Sequence, residues 1–374
     1  MEDDESFFNK LDLIYEVRNS QRRQFVVEST AMQPPHTGLL LLNLGSPESP
    51  ATADVRRYLD QFLNDPYVID IPGFLRKILV NGIILNTRPK KSAEAYAQIW
   101  TKDGSPLILH TRALVEKVRN RLKGRVTVGM AMRYGNPSIG DALMDFAKKG
   151  VREVVFLPLY PQYSYAASES SIVEFEREMK RLLPGAGSRV IEDFFSDEAY
   201  LSALAATIGP VLEEQQPDRL LLSYHGVPER QLVKVRKKPA VCGTPGCCDR
   251  WNEENLKCYR AQSFETSRRL GKLLHLGPER VITAFQSRLG RTKWIEPYTD
   301  VLLRSLPEQG VKSLVVASPS FTADCLETLE EIQIRYRELF LQSGGERFRY
   351  VECLNSRDDF VSSVLSLTVP QACC

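Results

Sequence analysis

The sequence has almost no surplus of charge: 49 Lys and Arg oppose 47 Asp and Glu, a net of +2. A protein built chiefly to grip nucleic acid carries a clear basic excess, so no nucleic-acid partner is expected. It also lacks an apolar run of ~18 residues, so no segment is expected to cross a bilayer. The opening MEDDESFFNK has neither a basic stretch nor an apolar core, and its acids argue against a mitochondrial transit peptide. No long apolar tail closes the chain, and a cytoplasmic location is expected. Histidine is scarce, with four in 374 residues. Hydrophobic residues at 43% and charged residues at 26% exclude a disordered chain. The length suggests two or three domains.

Cysteine is distributed unevenly. Four of the eight fall in one short stretch: Cys242, Cys247, Cys248 and Cys258. Without an export signal, such clustering favours metal or redox chemistry over structural disulfides. Four thiolates can hold zinc or an iron–sulfur cluster. The adjacent Cys247 and Cys248 do not fit the paired C-x-x-C knuckle of structural zinc. Cys325, Cys353, Cys373 and Cys374 lie elsewhere, and the terminal pair competes as a source of ligands.

Residues 1–36 look like an N-terminal extension, with a helix expected over 7–22. From Thr37 onward the pattern changes. TGLLLLNLGSP reads as a strand buried on both faces followed by a turn. Further runs over 126–132, 153–159, 219–224, 280–285 and 313–317 alternate with amphipathic stretches such as 139–148, 172–183 and 200–214. Strands alternating with helices predict a parallel α/β sheet. The chain also repeats itself. GLLLLNLGSP (38–47) matches RLLLSYHGVP (219–228), and GVREVVFLPLYP (150–161) matches GVKSLVVASPSF (310–321). Two similar lobes facing each other are therefore expected. Ligands of open parallel sheets bind beyond the carboxyl ends of the strands, which points to one cleft between them.

Five stretches carry the chemistry. His225, in SYHGVP, stands at a strand end, where the matching residue of the first half is Leu44. An imidazole there can accept protons near neutral pH or bind a metal. In DCLETLEEIQIRYREL, Glu327 and Glu331 are four apart and share a helix face, with Asp324 as N-cap. An imidazole facing a carboxylate can remove protons and pass a divalent cation. Tyr160, Tyr163, Tyr165 and Trp294, with Phe285 and Leu44, form an aromatic group suited to a flat apolar ligand or to roofing the core. The stretch 72–91 interleaves Phe74, Leu75, Ile78, Leu79, Ile83 and Ile84 with Arg76, Lys77, Arg88, Lys90 and Lys91. An apolar strip rimmed by cations suits a membrane surface, a ligand bearing carboxylates, or an ordinary core-facing helix. The fifth stretch is the cysteine segment.

Over residues 37–365 the chain resembles the ferrochelatase family. The resemblance is carried by LLNLGSP, IW…DGSPL, MRYGNPS, LPLYPQYS, SYHGVP, FQSRLG…W and DCLETLEEI, in the family's order. It implies insertion of Fe²⁺ into a porphyrin with loss of two protons, by two Rossmann-like lobes around a cleft. His225 and Glu327 would be the active pair, and Glu331 part of an acidic path for metal or protons. Leu44, Arg133, Tyr160, Gln162, Tyr163 and Trp294 would shape the porphyrin pocket. The apolar lip 58–88 would cover the macrocycle and touch a membrane. Some members hold a [2Fe–2S] cluster, which implies Cys242, Cys247, Cys248 and Cys258 as its ligands here.

The expected layout is an extension (1–36), a first lobe (37–195), a second lobe (196–354) with a cysteine-rich insert (236–262), and a C-terminal segment (355–374) packing on the first lobe. A bacterial cytoplasmic enzyme, at most peripheral to the inner face of the membrane, is expected. Protoporphyrin IX is the favoured substrate. The alternatives are coproporphyrin III, a cobalt or nickel chelatase of the same fold, and a two-lobed haem- or metal-binding protein without activity.

Overall fold

A computed structural model describes residues 37–235, 246–288, 290 and 292–369. The expected extension, Cys242, Cys373 and Cys374 lie outside the described residues. Among the described residues, eight strands form two four-stranded sheets. The first contains β1 (Thr37–Asn43), β2 (Thr127–Met132), β3 (Glu153–Pro158) and β4 (Gly187–Val190), in the order β2-β1-β3-β4. The second contains β5 (Arg219–His225), β6 (Val281–Gln286), β7 (Ser313–Ala317) and β8 (Arg347–Tyr350), in the order β6-β5-β7-β8. Every pairing is parallel. The two sheets therefore have one topology, as the internal repeat predicts.

The leucine run shows why the central strands form where they do. Leu39 and Leu41 enter a core that also holds Leu220, Leu222, Tyr224, Val315 and Ala317 of the second sheet. Leu40 and Leu42 face the other way, onto Phe146, Phe156 and Phe175. With a side-chain period of two, a strand covered on both faces reads as a continuous apolar run. Each buried leucine contributes roughly 1.5–3 kcal/mol before ordering entropy is counted. The strands β4 (GSRV) and β8 (RFRY) escape the sequence reading for the converse reason. They are sheet edges with polar, partly exposed side chains and no apolar run.

The flanking helices begin where local chemistry allows. Ser138 and Asp141 form a capping box for the helix Ile139–Lys148, and Asp197 accepts the Tyr200 amide at 3.0 Å to open Glu198–Gln215. The final helix, Asp358–Thr368, lies against Pro106–Leu122 and Glu198–Gln215. Two local expectations are corrected. Asp324 is no N-cap: its carboxylate takes the hydroxyls of Thr328 (3.0 Å) and Tyr350 (2.7 Å) and the Asn355 amide (2.7 Å). The segment Glu327–Tyr336 is a π-helix rather than an α-helix. Its side chains pair five apart, Glu331 with Tyr336 (2.8 Å) and Glu330 with Arg335 (2.8 Å). Such widened turns are rare and recur at functional sites.

Candidate active site

In each sheet the order reverses beside the first strand, which opens a crevice at the carboxyl ends of β1 and β3, and of β5 and β7. The two crevices share one cavity of about 590 Å³, within the usual range for small-molecule sites. Leu44 to Ser46 line it after β1, Leu159 and Tyr160 after β3, His225 to Pro228 at the end of β5, and Ser320 to Ala323 after β7. The helical lip covers it with Phe62, Ile69, Leu79 and Ile84.

His225 is fixed from three sides. Its backbone N–H donates to Ser320 Oγ at 3.0 Å, and its ring stands 6.5 Å from Trp294 and 6.2 Å from Phe321 between centroids. Nδ1 lies 2.6 Å from the Gly226 carbonyl. A carbonyl only accepts, so Nδ1 carries a hydrogen, and in the neutral ring the lone pair falls to Nε2. Gly226 is required here, because a Cβ would stand 2.7 Å from the Gln286 carbonyl.

Glu327 opens the π-helix and lines the same cavity as His225. The Cys325 thiol donates to its Oε2 at 3.1 Å, and Gln286 Nε2 donates to its backbone carbonyl at 3.0 Å. Burial, followed by the Glu327 charge, pushes the Cys325 thiol well up, so it remains a donor. Glu331 is buried behind this wall and does not line the cavity. It accepts the Ser287 backbone N–H at 3.1 Å and the Tyr336 hydroxyl at 2.8 Å. Gln286 Nε2 reaches it at 3.4 Å, so one amide touches both glutamates.

The expected pocket residues divide. Leu44, Tyr160, Gln162 and Trp294 line the cavity, whereas Arg133 and Tyr163 do not. Arg133 is held by buried Asp65 at 2.5 Å and by Ser170 Oγ at 2.8 Å. Tyr163 is buried against the first sheet's outer core, its hydroxyl bonded to Glu169. Past a strand end the chain loses its period of two, so residue order no longer says which side chains turn inward. The oxygen of the Gln162 side chain meets no donor among the described residues.

Sequence reasoning missed Tyr58, Tyr96, Cys325 and Tyr259 as lining residues and named Arg88 only within the basic strip. Burial holds the phenols of Tyr58 and Tyr96 well above their usual range, and Glu327 adds to the rise in both. Burial lowers Arg88, and the Glu327 carboxylate partly offsets that. The other cation among the described lining residues, Arg230, pairs with Asp70 at 2.5 Å. Helix periodicity places Tyr58 and Tyr96 in an ordinary core, and no motif separates them from one.

In the cysteine segment, the Cys247 and Cys248 sulfurs are 3.5 Å apart. The contact with Cys258, followed by burial, pushes the Cys248 thiol up. Three of the four clustered cysteines are thus drawn together. Among the described residues no group of three or more His, Cys, Asp or Glu is arranged as a metal site. Among them also, no helix is long and apolar enough to cross a membrane. The lip does present Phe74, Leu75, Ile78 and Ile83 to solvent, with Phe74 74% exposed.

Comparison with known proteins gives a consistent result. The ferrochelatase family model matches residues 36–372. A ferrochelatase of Azotobacter vinelandii is 48% identical over 335 residues, covering 88% of this chain and 97% of that protein. One from Coxiella burnetii (strain Dugway 5J108-111) is 44% identical over 332 residues, covering 88% and 92%. Among solved structures, the sirohydrochlorin chelatase SirB from Bacillus subtilis subspecies spizizenii, in complex with cobalt, superposes with a TM-score of 0.50 at 12% identity, covering 90% of this chain and 95% of that one. SirB from Bacillus subtilis with Fe³⁺ gives 0.51 at 11% identity, covering 90% and 96%. At that identity the likeness concerns the fold.

Proposed function

Because the chain belongs to the ferrochelatase family, whose members insert iron into porphyrin in haem biosynthesis, we propose that His225 and Glu327 are the groups that carry out the insertion. The observation that carries this reading is that both side chains line one cavity. His225 Nε2 takes the pyrrole protons, its tautomer set by the Gly226 carbonyl. Glu327 receives Fe²⁺ as substrate, its carboxylate oriented by the Cys325 thiol. Oxygen donors exchange iron readily, which suits a group that must hand the metal on. Glu331 stands behind, joined to Glu327 through Gln286, and serves as the second acid of the metal or proton path. Two protons leave for each Fe²⁺ that enters, so charge balances.

Leu44, Tyr160, Gln162 and Trp294 form the walls for the macrocycle. A close fit on both faces uses binding energy to bend the ring and expose its nitrogens. Arg133 and Tyr163 brace those walls from behind. Protoporphyrin IX is the favoured substrate over coproporphyrin III. Among the described residues the lining is mainly apolar, and of the two arginines there Arg230 is already paired. Arg88 is the group offered to a propionate.

The first lobe spans 37–195 and the second 196–354. The exposed apolar tip of the lip, flanked by Arg76 and Lys77, docks on the inner face of a membrane from the cytoplasm. The cluster assignment is supported by the convergence of Cys247, Cys248 and Cys258, soft donors suited to iron. Cys242, the fourth expected ligand, lies outside the described residues. A [2Fe–2S] group held there supplies a cross-link and a redox-active centre.

The test of the active pair is anaerobic insertion of Fe²⁺ into protoporphyrin. His225→Ala is expected to bind porphyrin and lose insertion by two to four orders of magnitude. Binding with unchanged turnover would remove His225 from the chemistry. For the cluster, anaerobically purified protein is expected to absorb in the visible, and Cys247→Ser to lose that absorbance. Colourless protein with stoichiometric zinc would overturn the assignment.

A further inference from the structure

The cysteine segment and the cavity wall meet at one buried amide. The helix Tyr259–Leu273 starts directly after Cys258 and buries Gln262, Ser263, Thr266 and Ser267. A buried polar stripe is tolerated only when its groups are paired. Gln262, fully buried, is paired at both ends. Its oxygen accepts the Tyr163 backbone N–H at 2.6 Å, and its nitrogen donates to the Leu256 carbonyl at 2.6 Å and to Asp193 Oδ2 at 3.3 Å.

Each end leads to a different site. Leu256 belongs to the cysteine segment, and its carbonyl also takes the Trp251 indole N–H at 3.2 Å. Within that segment Asn255 donates to the Cys247 carbonyl at 3.1 Å and to Arg250 at 2.8 Å, while the Cys258 N–H donates to Asn255 at 2.8 Å. The thiols therefore sit on one hydrogen-bonded unit. At the other end, Tyr163 follows Gln162, a lining residue that donates to Thr266 Oγ1 at 3.2 Å, one helical turn beyond Gln262. Tyr259, next to Cys258, lines the cavity as well.

We propose that Gln262 is a positioning residue that couples the Cys247–Cys248–Cys258 thiol site to the porphyrin wall at Gln162, so that filling either site changes the other. This rests on the reading of the cavity as the porphyrin site. Displacing either end of a buried amide strands a polar group where no water replaces the lost bond. The thiol unit and the wall therefore move together. Such linkage is reciprocal: the porphyrin must alter the thiols by the same free energy with which the thiols alter porphyrin binding.

The experiment follows alkylation of Cys247 by iodoacetamide in anaerobically purified protein, read peptide by peptide by mass spectrometry; the rate reads how readily the site releases that thiol. Protoporphyrin is added without divalent metal, and its binding is followed separately by its fluorescence. In the unaltered protein, saturation with protoporphyrin is expected to change the Cys247 rate about five-fold or more. Gln262→Met, similar in length but without hydrogen bonds, is expected to bind protoporphyrin and reduce that change below about twofold. If Gln262→Met fails to fold, Gln262→Glu, which keeps the acceptor and loses the donor to Leu256, is expected to reduce the change likewise. An unchanged rate in the saturated unaltered protein, or the full change in either variant, overturns the coupling. Failure of the unaltered protein to bind protoporphyrin at all would refute the cavity reading and the coupling with it.

Discussion

The two lobes are built on one plan and differ where they face the cavity. At matching positions of the repeat, just before a glycine at the end of each central strand, the first lobe presents Leu44 and the second His225. Each third strand runs on into a π-helical turn, at Tyr165–Glu169 and Glu327–Tyr336. Carrying the internal repeat forward aligns Ala167 with Glu327, and both line the cavity. Two exchanges thus separate an apolar platform from a wall with a base and an acid. The lobes also bury their carboxylates differently. Asp65 is neutralised by Arg133 at 2.5 Å. Glu331 is met by hydroxyl and N–H donors, and the nearest guanidinium, Arg335, stands 3.9 Å away.

The asymmetry can be broken where it is sharpest. Giving the second lobe the first lobe's residue, Glu327→Ala, is expected to lower iron insertion by two orders of magnitude or more while leaving protoporphyrin binding intact. Single-turnover insertion measured beside fluorescence binding checks it, and equal losses in both would make Glu327 a packing residue. In the first lobe the matching experiment is Arg133→Met. Leaving Asp65 buried without its partner is expected to cost about 3–5 kcal/mol of stability. Chemical denaturation reads that loss, and turnover per folded molecule should change much less. A large turnover defect at full stability would mean that Arg133 touches the substrate after all.

The smallest effect concerns the clasp between the lip and the second lobe, where Asp70 pairs with Arg230 at 2.5 Å and Lys234 at 2.8 Å. Burial alone would raise this carboxyl, but the hydrogen bonds and charges of Arg230 and Lys234 hold it below its ordinary value. A depressed folded pKa means stability present above the unfolded value, ~3.9, and lost as pH falls through the folded one. Melting curves of Asp70→Asn and the unaltered protein are therefore expected to differ near neutrality and to converge below about pH 4. A constant gap across that range would remove the clasp from the acid response.

The sequence alone determined much of the scaffold. A strand covered on both faces must be apolar at every position, so six of the eight strands, their alternation with helices and the duplication were legible as patterns. His225 was legible because histidine is rare here and its counterpart in the repeat is leucine. The edge strands β4 and β8 were not, since a polar edge resembles a loop. Direction beyond a strand end was decided by tertiary structure alone. Arg133 and Tyr163 turn to Asp65 and Glu169, while Tyr58 and Tyr96 enter the cavity from helices with no distinguishing motif. Periodicity encodes which face of an element is covered. Which neighbour covers it, and whether a neighbour is there at all, is fixed only when segments distant in sequence pack together.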